Sequence, residues 1–269
     1  MALWSLHLQV HFFPMTLLQV ILFSIIEGIT EFLPVSSTGH LILTAHLLQI
    51  PQTNVQKSFE IAIQLGAILA VVVLYARTLL TDRRILLLVC TAFIPTAIIG
   101  FLFHGVVKSV LLGSTTVVLW SLFLGGIILL FFENVCPEKS SASKLTEMSF
   151  TQAILVGVCQ AVAIVPGVSR SAATIVGGEL LGVSRKAIVE FTFLLAIPTM
   201  AAATGYDLWT SAGEFTSADV QTLAVGFVLS FLVAIAAIKW FLQYVKNHSF
   251  VVFGWYRILV AAVFFLFLT

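Results

Sequence analysis

The sequence predicts an all-α polytopic membrane protein: a single integral membrane domain over residues 1–269, built from two repeats in opposite orientation, about 17–133 and about 150–268. Three observations carry that prediction. Hydrophobic residues make up 60% of the chain and charged residues 9%, against roughly a quarter charged in soluble domains, and the mean hydropathy is +1.11. The apolar residues run continuously for about 20 positions at a time, the length a helix needs to cross a hydrocarbon core. They do not alternate as the strands of a membrane barrel do. Two further apolar runs are each broken by a proline followed by clustered hydroxyls.

Full-length spans fall near 59–77, 85–103, 113–132, 187–208, 219–239 and 250–268. The opening stretch MALWSLHLQVHFFP has no Lys or Arg ahead of its apolar part, unlike a secretory signal peptide. Its Trp4, His7 and His11 suit a membrane interface. From Leu17 to Leu33 an apolar run carries Glu27 and Glu31, breaks at Pro34-Val-Ser-Ser-Thr-Gly and resumes as HLILTAHLLQI, too short to cross the bilayer. From Phe150 to Val183 the pattern recurs, with the break at Pro166-Gly-Val-Ser-Arg-Ser. Each predicts a re-entrant hairpin, a helical half that enters the membrane and returns.

A shift of 133 residues superposes Gln19 on Gln152, Ile21 on Ile154, Leu22 on Leu155, Val35 on Val168, Ser36 on Ser169 and Ile42 on Ile175. Three spans follow each hairpin, and an odd number per repeat inverts the second half relative to the first. On this topology Arg77, Arg83, Arg84, Lys139, Lys144, Arg185, Lys186, Lys239 and Lys246 share one side, which the positive-inside rule makes cytoplasmic. The acidic stretch from Asp207 to Asp219 lies outside. Hairpin one then dips in from the outer face and hairpin two from the cytoplasm, so their tips meet at depth. The net charge of +1 says little about partners, because a membrane protein distributes its charge by topology, but without a basic block nucleic acid is not an expected one. Cys90, Cys136 and Cys159 lack metal-ligand spacing.

In hydrocarbon a broken helix is tolerated only where its freed backbone lines a polar, protein-walled cavity. Ser36, Ser37 and Thr38 at one break, and Ser169 and Ser171 at the other, can cap the helices that follow. The first-turn amides, including those around Gly39 and Gly167, then face the cavity with the positive ends of two helix dipoles. Thr174 adds a hydroxyl within reach or serves the backbone. Two such ends suit an anion, and phosphate matches many N–H and O–H donors. Arg170 supplies a planar fork for phosphate oxygens.

Glu27 and Glu31 share a helix face, and each carboxylate at mid-membrane costs on the order of 2.5–3.5 kcal/mol on insertion scales. They suit either a divalent cation, Mg2+ or Ca2+, held by oxygen ligands, or a shared proton. His40 is a candidate base or nucleophile, though a lone histidine on an apolar helix is often only a hydrogen-bonded core residue. Glu60 and Glu190 sit at matching places in the two halves, as pocket walls or partners of Arg170. Gly177, Gly178 and Glu179 suggest close helix packing. A carrier or flippase for a lipid shares the broken helices and buried acids, but has no need of an arginine, hydroxyls and helix ends aimed at one anion.

The stretches EGITEFLPVSSTGH (27–40), SFEIAIQLGAILAVV (58–72) and PGVSRSAAT (166–174) resemble the signature regions of the bacterial undecaprenyl-pyrophosphate phosphatase family, in order and over nearly the whole chain. The resemblance implies a multi-pass enzyme of the bacterial inner membrane that removes the terminal phosphate from a C55 isoprenoid carrier, recycling it for cell-wall synthesis, and whose level alters bacitracin sensitivity. It implies that the family's paired glutamates fall on Glu27 and Glu31, its Ser-Ser-Thr-Gly-His stretch on Ser36 to His40, and its essential arginine on Arg170. The expected partners are a polyprenyl pyrophosphate, membrane lipid and, for assembly, a second copy in a homodimer. Ser37 is the expected nucleophile with His40 as its base and the site open to the outer side; direct attack by His40, or by water activated at a glutamate, stays open.

Overall fold

The computed structural model describes residues 15–51, 53–106, 114–135, 144–210 and 217–268, and these are helical with no strand among them. In chain order the helices are α1 (Leu17–Thr30), α2 (Ser37–Leu47), α3 (Asn54–Leu74), α4 (Ala76–Thr81), α5 (Arg83–Val106) and α6 (Thr115–Val135), followed by α7 (Phe150–Ala161), α8 (Arg170–Leu180), α9 (Arg185–Thr210), α10 (Ser217–Tyr244) and α11 (Val251–Leu268). Helices α3, α5, α6, α9 and α10 are long and apolar enough to cross a membrane. The sixth expected span, 250–268, is helical as α11, but its apolar stretch Val251–Phe267 is shorter than the other five. The chain is a multi-pass, all-α membrane protein.

Local chemistry sets the helix ends. Thr16 and Gln19 form a capping box at the start of α1, and Ser149 and Gln152 form the same box at the start of α7, 133 residues later. α3 starts five residues before the expected span because Thr53 Oγ1 accepts the Gln56 N–H at 3.2 Å. A hydropathy pattern does not register a polar cap. At the breaks, Pro34 and Pro166 offer no backbone N–H to a continuing helix. Ser36 (φ 72°) and Ser169 (φ 75°) then turn the chain through the left-handed region, each capping the next helix. For a residue other than glycine this conformation costs about 1–3 kcal/mol and persists only where the surroundings enforce it.

Small residues let the helices close on one another, as in other membrane bundles. A Cβ at Gly66 would strike the Phe227 carbonyl oxygen, so α3 and α10 lie backbone to backbone there. Ser230 Oγ fastens the same seam by donating to the Ile63 carbonyl at 2.8 Å. Gly157 lets α7 touch Ala92 of α5 in the same way. The close packing expected at Gly177 and Gly178 is present, against Cys159 and Ile188. Glu179 does more than pack, because with Glu133 it flanks Arg185, at 3.0 and 3.1 Å. Arg185, one of the residues that the charge pattern places on the cytoplasmic side, is only 3% exposed, because the ends of α6 and α8 bring two carboxylates to it. The expectations for Trp4, His7, His11, Cys136 and Lys139 lie outside the described residues.

Candidate active site

α2 begins at Ser37 and α8 at Arg170, each directly after its left-handed serine cap. Gly39 N–H donates to Ser36 Oγ at 3.3 Å and Ala172 N–H to Ser169 Oγ at 3.2 Å. The earlier amides of each first turn, Ser37 and Thr38 in one helix and Arg170 and Ser171 in the other, have no intrahelical acceptor to reach. Both helix ends border one cavity of about 240 Å³. Glu31, Ser36, Ser37 and Thr38 line it from the first break and Gly167, Ser169 and Arg170 from the second; Gln64 of α3 and Thr199 of α9 complete its polar wall.

The two breaks touch. Arg170 Nη2 donates to Glu31 Oε1 at 3.1 Å, and Ser171 Oγ donates to the Leu33 carbonyl at 2.7 Å. A Cβ built on Gly39 would lie 3.5 Å from Gly167 Cα, in ordinary contact, so the two turns abut there. Gly167 also has φ +92° and would bring a Cβ to 2.7 Å from the Val118 carbonyl. Ser37 Oγ donates to Glu31 Oε2. Glu31 thus holds the hydroxyl at one helix end and the guanidinium at the other. Arg170 is fixed from behind by Nη1, which donates to the Thr192 carbonyl at 3.0 Å.

Arg257 of α11 holds the arrangement together, and the sequence reading passed over it. Its side chain is fully buried and donates to five carbonyl oxygens. Pro34 lies at 3.2 Å in the first break, while Gly167 and Val168 lie at 2.9 and 3.0 Å in the second. Ser121 and Leu122 of α6 lie at 2.9 and 3.3 Å. A turn that leaves the helical pattern exposes carbonyls that hydrocarbon cannot satisfy. One guanidinium here serves both turns. The signal was available: an arginine inside a span of otherwise apolar residues is as costly as the glutamates that were singled out.

Other expected residues turn away from the cavity. His40 Nδ1 pairs with the Ser36 carbonyl at 2.7 Å and Nε2 with the Tyr256 hydroxyl at 2.8 Å. Both ring nitrogens are therefore engaged away from Ser37, and the carboxylate of Glu31 takes the place foreseen for the histidine. The Gly39 amide is spent on its cap, and Ser171 Oγ on Leu33 and Ser169. Thr174 Oγ1 donates to backbone carbonyls of its own helix and accepts from Thr192 Oγ1 at 2.8 Å. Of the two acids weighed as partners of Arg170, Glu60 accepts from Gln56 at 3.0 Å and Glu190 lies 3.9 Å from Lys186.

Glu27 lies one turn before Glu31, wholly buried, and neither of its carboxylate oxygens has a hydrogen-bond partner. A buried carboxylate without partners is strongly unfavourable unless a cation or a proton meets it. No cluster of three or more His, Cys, Asp or Glu occurs among the described residues, and both oxygens of Glu31 are engaged. One turn apart, Glu27 and Glu31 suit either a shared proton or a hard cation held by oxygen ligands, and Glu27 itself does not border the cavity.

The family expected from the motifs is the one found. The model of the family described as bacitracin resistance protein BacA matches residues 20–263. The undecaprenyl-diphosphatase of Aquifex aeolicus (strain VF5) is 52% identical over 256 residues, covering 94% of this chain and 100% of that protein. Those of Sulfurihydrogenibium sp. (strain YO3AOP1) and Methanococcus aeolicus are 47% and 43% identical, each over 94% of this chain and 99% of its own length. With a match that runs from ahead of Glu27 to beyond Arg257, taking in both breaks and the arginine that joins them, the chain belongs to the bacitracin resistance protein BacA family.

Proposed function

We propose that the protein is an undecaprenyl-diphosphatase that cleaves the terminal phosphate from its lipid substrate by transfer to Ser37. The observation that carries this reading is the chain of contacts from Ser37 through Glu31 to Arg170, drawn from two hairpins and set beside two helix N-termini. Phosphoryl transfer is mostly positioning and charge stabilisation, and this arrangement offers both. The diphosphate enters the cavity and its terminal oxygens replace Glu31 Oε1 on Arg170, with Ser36, Thr38, Ser169 and the first-turn amides as further donors. Glu31 accepts the Ser37 proton as Oγ attacks phosphorus. The bond from phosphorus to the bridging oxygen breaks, and the lipid monophosphate leaves with that oxygen. Glu31 passes the Ser37 proton to the departing lipid monophosphate. Water then loses a proton to the freed carboxylate and attacks phosphorus, the bond from phosphorus to Oγ breaks, Ser37 Oγ takes the proton back and phosphate is released.

A divalent cation, Mg2+ or Ca2+, at Glu27 would neutralise charge on the diphosphate. His40, linked to Tyr256, would hold the Ser36 turn in place without carrying the proton. The two halves act as inverted repeats of one integral membrane domain, a reading supported by the shared capping boxes and left-handed serines at a spacing of 133 residues. The basic residues at the start of α5 and α9 support an inner-membrane orientation with the cavity open to the outer side.

Release of inorganic phosphate from a polyprenyl diphosphate by the purified full-length protein in detergent, where no gradient exists, is the direct test. Sustained turnover is expected. Absence of release, with lipid movement in vesicles instead, would replace the enzyme with a carrier.

A further inference from the structure

The polar cavity adjoins a second, larger one. A cavity of about 610 Å³ runs from Arg170 along the facing sides of α5 and α9, and it shares Arg170, Ala163, Thr199 and Ala203 with the first. Its volume falls in the range of small-molecule pockets, about 300–1,000 Å³. Its far wall is small and apolar, with Ala97, Gly100 and Phe101 on α5 facing Ala202 on α9. A Cβ on Gly100 would meet nothing within 4 Å. Of the polar side chains that border the groove, Gln160 donates from Nε2 to Thr96 Oγ1 at 2.8 Å and to Thr199 Oγ1 at 3.1 Å, while its Oε1 has no partner.

The groove exists because the two halves differ. In the first, α3 packs along much of α10, drawn together by Gly66 and Ser230, whereas the equivalent pair in the second, α9 and α5, meet over a far shorter stretch. An opening between two bundle helices that ends on a phosphate-binding arginine fits an amphiphile whose charged head and apolar chain are joined end to end.

We infer that this groove binds the first few isoprene units of a prenyl diphosphate, α5 and α9 gripping the chain while Arg170 takes the head. The inference rests on the phosphatase reading and names the part of the substrate which that reading leaves in bulk lipid. Most of a long carrier chain exceeds the groove and stays among the lipids. Recognition is therefore sensitive to the proximal units and indifferent to those beyond. The chain passes from one apolar medium to another, so packing between α5 and α9 rather than removal from water supplies the selectivity, and a unit excluded from the groove loses those contacts.

The test compares kcat/KM for a C15 and a C5 prenyl diphosphate, using phosphate release by the full-length protein in detergent. The ratio of the two does not depend on the fraction of protein that folds. The unmodified protein is expected to favour C15 by tenfold or more. Gly100→Leu, which fills the groove from α5, is expected to shift the ratio roughly tenfold toward C5, and Ala202→Leu does the same from α9 should the first variant be inactive. A ratio that moves in neither variant overturns the groove and leaves the phosphatase intact, the chain then lying in lipid alone. No release from either substrate by the unmodified protein overturns the phosphatase reading itself.

Discussion

Arg170 Nη2 lies 3.1 Å from Glu31 Oε1, a salt bridge between residues 139 positions apart in sequence, with side chains only 12% and 7% exposed. It joins the first residue of α8 to the residue that caps the C-terminus of α1. Its strength is paired with vulnerability, because removing either partner strands a buried charge.

The first prediction follows from that. Glu31→Gln or Arg170→Gln alone should lower thermal stability, since breaking a buried pair from one side costs about 3–5 kcal/mol. The combined variant should regain much of that stability in detergent melts and remain without phosphatase activity. Recovery of turnover by the neutral pair would show that the charges serve only the fold.

Arg257 should prove indispensable without touching substrate. Arg257→Met deprives five carbonyl oxygens of their donor, and each buried unsatisfied group costs about 1–3 kcal/mol. The melting temperature should fall and activity be lost together. Arg257→Lys should recover only part of either, because a point ammonium cannot spread over both turns as a planar fork does. A melt and an activity unchanged in the Met variant would remove the clasp from this account.

His40 is predicted to position rather than to transfer protons. His40→Ala should lower kcat through the loosened Ser36 turn, with Tyr256→Phe a weaker step in the same direction. The pH profile of kcat/KM should keep its shape in both. If His40 is instead the base, the limb of the profile that reports its titration disappears in the alanine variant.

Chelation should reduce phosphate release, and added divalent ion should restore it. Glu27→Gln should raise the ion concentration needed for half activity. Thermal melts give an independent readout, since an ion that binds the folded protein raises its melting temperature and should do so less in the variant. A Glu27→Gln protein with the same ion requirement as the unmodified one would return the site to a shared proton.

Much of the fold was legible because the membrane imposes simple rules. Runs of about 20 apolar residues give α3, α5, α6, α9 and α10, and prolines followed by hydroxyls give both breaks. Glu31, Ser37 and Arg170 could be singled out because polar groups at that depth have few reasons to exist. Less legible was which way each polar residue points. Gly39, Ser171 and Thr174 lie in the right motifs, yet their hydrogen-bonding groups serve caps and carbonyls. His40 is drawn off by Tyr256, 216 residues away, a pairing that no local pattern encodes. Arg257 was missed for the opposite reason, its hydropathy diluted by a strongly apolar helix.

Phosphate release by Ser37→Ala, Arg170→Ala and the double variant bears most directly on the claim that two hairpins act on one phosphoryl group. The account predicts that each single change lowers kcat/KM by about a thousandfold or more. It also predicts that the double falls little below the weaker single, because residues that act as a unit are not additive. A folded Ser37→Ala or Arg170→Ala protein that retains activity within tenfold of the unmodified enzyme would contradict it.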